Sequence, residues 1–192
     1  MAISSGFFNS VGGDRKYDAV QFGAVFSTFI SDGVFRDNGG LMAITPGPAS
    51  NVYVADGWAW FNGIWVRNDS SYLFTLPAAT TIPRYDAVVL QVDKDDAVRA
   101  SSIVYISGTP ASTPAKPTLT NTATKFLYPL AYVLRPANST TITADNIEIT
   151  TGTAATPWAT NRLASPRESP AISSGTAAPT GGANGDIYFR VA

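Results

Sequence analysis

The chain reads as a mainly β protein: an antiparallel β-sandwich or barrel-like domain with one amino-terminal amphipathic helix and extended terminal arms. Three observations carry this. Apolar residues recur at helical spacing only between Asp18 and Gly33. From Leu41 onward they alternate in short runs separated by Gly, Pro, Asn and Asp, the pattern of half-buried strands. Charged residues are 14% of the 192, against 45% hydrophobic, with 16 Gly and 13 Pro. That balance suits a turn-rich β domain or an assembly component.

The helix comes first. Phe22, Val25, Phe26, Phe29 and Ile30 form one stripe, which needs a cover. Asp18 is placed as N-cap, with Gln21 completing a capping box, and Gly33 as the stop. The stripe packs either on the chain's own sheet or, in part, on a neighbouring subunit or protein.

The strand pattern follows in order. Leu41 to Thr45 ends at Pro46-Gly47-Pro48. Asn51 to Trp60 and Ile64 to Val66 flank Asn62-Gly63, a strong two-residue hairpin signal because both positions need positive φ. Tyr72 to Leu76, Asp86 to Val92, Val98 to Ile106, Phe126 to Leu134 and Thr141 to Ile149 supply the remaining strands, with Gly108 to Pro117 as a loop. The expected organisation is a docking arm and helix over 1–35, a β-sandwich over 36–150, and a Pro/Gly/Ser/Thr-rich linker over 151–192. That linker ends in a strand-like peg, Ile187-Tyr188-Phe189. A lone strand needs a partner edge, in this subunit, a sister subunit or another protein.

The Asn62-Gly63 turn sets a register. Phe61 opposes Ile64, Trp60 opposes Trp65, Ala59 opposes Val66 and Trp58 opposes Arg67. Trp58, Trp60, Trp65 and Arg67 therefore share one face, where the arginine can stack on an indole. Three readings stand for that face: burial beneath the helix, a subunit interface, or a platform for a glycan.

Several chemistries are excluded or unsupported. The chain has no Cys and no His, which removes disulfides, Cys/His zinc sites and the commonest general base. Net charge is −1 with no basic run, which argues against nucleic-acid binding. Asp93, Asp95 and Asp96 lack the rest of a calcium loop and read as a charged turn. Glu148 and Glu168 are the only glutamates and show no glycosidase pairing. No nucleotide-binding or nucleophile-elbow motif occurs. No cofactor, metal or catalytic residue is expected, nor a signal peptide or membrane span.

A series of short motifs runs through the chain in order: Phe7-Phe8 to Gly13-Asp14-Arg15-Lys16-Tyr17 ahead of the helix and Gly33-Val34-Phe35, then Gly57-Trp58-Ala59-Trp60-Phe61-Asn62-Gly63-Ile64-Trp65. Arg84-Tyr85-Asp86-Ala87-Val88-Val89-Leu90 follows, then Gly108-Thr109-Pro110-Ala111-Ser112-Thr113-Pro114, Leu130-Ala131-Tyr132-Val133 and Ile142 to Ile147. Over residues 6 to about 150 this series resembles structural proteins of the bacteriophage tail tip, baseplate or fibre, and Thr156-Pro157-Trp158 is similar to a segment in members that infect Gram-positive hosts. The resemblance implies a virion protein assembled in the host cytoplasm as a homo-oligomer, a trimer, that contacts other tail proteins and attaches to the host. Phe7, Phe8, Asp14, Arg15 and Tyr17 would then dock on the tail, and Ile187, Tyr188 and Phe189 would hold a neighbour. A carbohydrate-binding module for a cell-wall glycan and a head decoration protein are the alternatives.

Overall fold

The computed structural model describes residues 11–12, 18–162, 172–175 and 187–190. The chain divides into two units, Met1–Thr160 and Asn161–Ala192. In the first, helix α1 (Ala19–Phe29) precedes strands β1 (Gly33–Val34), β2 (Ile44–Pro46), β3 (Val52–Val54), β4 (Gly57–Phe61), β5 (Ile64–Asn68) and β6 (Tyr72–Phe74). They are followed by β7 (Arg84–Asp93), β8 (Ala100–Ser107), β9 (Lys125–Arg135) and β10 (Ile147–Ile149). Three antiparallel sheets result, ordered β1-β4-β5, β2-β3-β6 and β10-β9-β7-β8. None closes into a barrel, so of the two expected forms the fold is sandwich-like.

Apolar alternation along β7 and β9 builds the core. Val88, Leu90 and Val92 face the same side as Ala131 and Val133, and they meet Val34, Val54, Ala59 and Phe61 from the smaller sheets and Met42 from the turn before β2. Ala87 and Val89 point to the opposite face and are also fully buried. Burial on both sides explains why β7 reads as a continuous apolar run. Loop 108–121 runs by that outer face, where Lys116 lies over Tyr132, the cross-strand partner of Ala87 (5.0 Å).

Two local features depart from the expected strands. The run from Asn51 to Trp60 is two strands in two different sheets, broken at Gly57. A Cβ there would lie 2.7 Å from the Met42 nitrogen, so the chain turns where only glycine fits. The run from Thr141 to Ile149 is a strand only from Ile147, because Ala144–Asn146 form a 3-10 turn. Pro129 in β9 cannot donate to the ladder, and the register shifts beside it, between Val88 and Val89 of β7. Its carbonyl is not wasted: the hydroxyls of Thr150 and Thr156 both donate to it.

Those threonines begin a stretch that packs on the sandwich, where sequence composition suggests a linker. Thr156 is fully buried. Pro157 O accepts from Val34 N and Val34 O from Ala159 N, each at 2.9 Å, so this stretch lies parallel to β1. Gly33 permits the approach, since a Cβ there would lie 2.2 Å from Ala159 N. Gly33 therefore serves this contact; α1 has already ended at Phe29 with Ile30 as an extended C-cap.

In the second unit, β11 (Ile172–Gly175) and β12 (Ile187–Arg190) pair in parallel, Ile172 with Ile187 through Gly175 with Arg190. The terminal strand thus pairs with a segment of its own chain.

Candidate functional site

The β4–β5 hairpin is the centre of the site. Asn62 and Gly63 have φ of 54° and 79°, as a two-residue primed turn demands. The ladder pairs Phe61 with Ile64, Trp60 with Trp65, Ala59 with Val66 and Trp58 with Arg67. Trp58, Trp60, Trp65 and Arg67 accordingly share a face.

The turn is held from several directions. Asn62 N donates to Asp32 Oδ1 (3.2 Å), Lys94 Nζ donates to Asn62 O (3.2 Å), and Asn62 Nδ2 donates to the Tyr128 hydroxyl. Tyr128 stacks on Phe61 with ring centroids 3.7 Å apart. Desolvation, followed by the nearby Asp32 charge, pushes the Tyr128 phenol up to about 12, against the hydrogen bond from Asn62. Helix α1, capped at Asp18, meets the same turn through Gly23. Asp18 accepts from Gln21 N (2.9 Å), and the Gln21 side chain accepts in return from Asp18 N (3.2 Å).

The helix does not cover the tryptophan face as a whole. Its buried residue is Gly23, which meets Gly63 backbone to backbone. At 100° per residue the phenylalanine stripe lies about 90° around the helix from Gly23. Phe26 reaches Trp60 edge-on, with centroids 6.1 Å apart, and Trp60 is buried. Its indole N–H has no hydrogen-bond partner among the described residues. Phe22, Phe26 and Phe29 nevertheless remain 41%, 47% and 40% exposed. Trp58 and Trp65 are 36% and 64% exposed, 5.8 Å apart, with Arg67 stacked 5.1 Å over the Trp58 ring. The face divides into one tryptophan under the helix and two left open.

Beside Trp65 lies an open groove of about 550 Å³. Its lining includes Ala19 and Val20 of α1, Trp65 and Arg67 of β5, and Asp96 and Arg99 of the β7–β8 turn. The aspartates of that turn act as local caps. Asp93 Oδ1 accepts from Asp95 N and Asp95 Oδ1 from Ala97 N, each at 3.0 Å, while Lys125 Nζ sits 3.4 Å from Asp93 Oδ2. Among the described residues no cluster of acidic side chains is placed to hold a metal, and no helix is long and apolar enough to cross a membrane.

A second constellation has no counterpart in the sequence reading. Arg84, Asp86 and Arg135 are buried together at one end of the large sheet. Arg84 Nε donates to Asp86 Oδ1 (2.8 Å), and its other nitrogens donate to Thr80, Ala78 and Tyr105. That hydrogen bond to Asp86 raises the Arg84 pKa. Arg135 Nη1 is 3.6 Å from Asp86 Oδ2, too far for a hydrogen bond, and burial lowers the Arg135 pKa. The signal available in sequence was Arg84 and Asp86 at i and i+2 of one strand, hence on one face. Arg135, 49 positions beyond Asp86, could be added only by the β7–β9 register, which pairs it with Arg84.

Phe7, Phe8, Asp14, Arg15 and Tyr17 lie outside the described residues. Ile187, Tyr188 and Phe189 are in β12 of the second unit. Comparison with protein-family models, with curated proteins and with solved structures finds no match to this chain.

Proposed function

We propose that the chain is a structural component of a bacteriophage tail tip, baseplate or fibre, acting in virion assembly and host attachment as a homo-oligomer. The supporting observation is that Trp58 and Trp65 stand open on a hairpin clamped at its turn, with Phe26 and Phe29 half exposed on α1. Aromatic side chains supply large contact area at small entropic cost, so a rigid hairpin presenting them is suited to binding another macromolecule. The ordered motifs from Phe7 to Ile147 support placing that contact in a phage tail, with a trimer as the assembly they imply. Immunogold labelling of virions with antibody to the chain is expected to mark tail ends. Label on capsids would replace this reading with head decoration. Deleting residues 1–17 is expected to leave the β domain folded but unable to join tails.

One observation favours a second reading. Trp58 and Trp65 lie open beside Arg67, and aromatic rings suit the apolar faces of sugars. Under that reading host cell-wall polysaccharide blue-shifts tryptophan emission, and Trp65→Ala abolishes the shift. Emission indifferent to polysaccharide removes it.

A further inference from the structure

We infer that the outer edge of β5 pairs antiparallel with β5 of a second copy, about a two-fold axis at Val66. The edge is unpaired among the described residues: β5 ends the β1-β4-β5 sheet, and no described strand is hydrogen-bonded to its far side, which borders the groove that Arg99, Ala100 and Ser101 also line. The opposite end of that sheet is already closed by residues 157–159 along β1.

Backbone directions follow from the hairpin. The turn hydrogen bond makes Phe61 and Ile64 a bonded pair, so Trp60–Trp65 and Trp58–Arg67 are non-bonded pairs of the alternating ladder. An independent contact agrees, since Trp58 O accepts from Phe35 N, away from β5. Trp65 and Arg67 therefore aim their N–H and C=O groups outward, along the free edge.

The hydrogen-bonded pairs across such an edge must join outward-aimed residues, which within β5 leaves three registers. Trp65 opposite Trp65 brings in Gly63, whose backbone is already against Gly23. Arg67 opposite Arg67 sets like charges together, which destabilises a ladder. Trp65 opposite Arg67 gives two reciprocal bonded pairs and places each guanidinium beside an indole. Each arginine then lies between its own Trp58, on which it already stacks, and the second copy's Trp65. The same register brings the half-buried Val66 side chains together on the inner face. A tryptophan 64% exposed on an edge strand that no described strand pairs gives that edge apolar surface to bury.

The contact does not depend on the tail reading and is tested on the purified full chain by sedimentation across a concentration series. Wild type is expected to show a reversible species of even subunit number. Trp65→Lys sets a second cation opposite Arg67 and is expected to weaken association by at least about tenfold. Trp65→Glu sets opposite charges together and is expected to keep it, and Trp65→Lys with Arg67→Glu to restore it. Hydrogen exchange on wild type needs no variant: the Trp65 and Arg67 amides are expected to gain protection as concentration rises. A wild type that stays monomeric overturns the inference, as do amides indifferent to concentration. Equal loss in the Trp65→Lys and Trp65→Glu variants, both folded by circular dichroism, overturns the register.

Discussion

Gly23 of the helix and Gly63 of the hairpin turn touch backbone to backbone; a Cβ on Gly23 would lie 2.8 Å from the Gly63 carbonyl oxygen. This contact positions the helix on the turn and leaves the phenylalanine stripe half exposed. It also explains why Trp60 alone of the three hairpin tryptophans is buried. The Asn62-Gly63 turn therefore does two jobs, setting the strand register and seating the helix.

Gly23→Ala tests that seating. Alanine favours a helix interior over glycine by up to about 1 kcal/mol, so an unconstrained site would be stabilised. Here the added methyl meets backbone, and a net loss of about 1–3 kcal/mol is expected in denaturant unfolding. Trp60 emission should shift to longer wavelength as Phe26 withdraws.

The buried Arg84–Asp86–Arg135 group holds two cations on one carboxylate. Asp86→Ala leaves both guanidinium groups buried without a counter-charge and is expected to cost about 3–5 kcal/mol. Arg135→Met replaces a buried cation whose nitrogens lack hydrogen-bond partners among the described residues. Because Asp86 keeps Arg84 as its partner, the change is expected to be close to neutral. The urea midpoint should fall for the first variant and stay nearly unchanged for the second.

Tyr128 predicts an alkaline limb in stability. Its folded pKa is about 12, above the ordinary phenol value of 10.0. The unfolded chain therefore loses the phenolic proton first, and stability falls as pH rises from about 10 toward 12. Full linkage would give about 2–3 kcal/mol, and partial solvent exposure reduces this. Tyr128→Phe should flatten the limb in thermal melts between about pH 9 and 11, leaving the smaller contribution of Tyr72, which burial also raises.

Residues 151–160 are expected to belong to the folding unit. A chain ending at Thr160 should melt like the full protein. One ending at Thr150 loses the Thr156 anchor, the Trp158 packing on the core and the hydrogen bonds to Val34. Loss of a packed tryptophan sets the cost on the order of 3 kcal/mol. Gly33→Ala should show part of the same effect, with faster proteolysis near Trp158.

What was legible in the sequence was local. Asp18 and Gln21 cap the helix through hydrogen bonds three residues apart, and the positive φ of Asn62 and Gly63 sets a register that propagates by simple alternation. The charged turn after Asp93 and most strand centres follow from spacing in the same way. Tertiary structure alone decided the rest. Gly57 divides an apparent single strand because Met42 lies against it, and Thr156 to Thr160 join the sandwich because Pro129 and Val34 offer backbone partners. Arg135 enters its cluster through the ladder to Arg84. Whether a tryptophan is buried or open depends on which side of a helix meets a turn, and here a pair of glycines 40 positions apart settled it. Hydrogen-bond geometry within a few residues is written into the local sequence, whereas close approach between distant backbones is set by the packed whole.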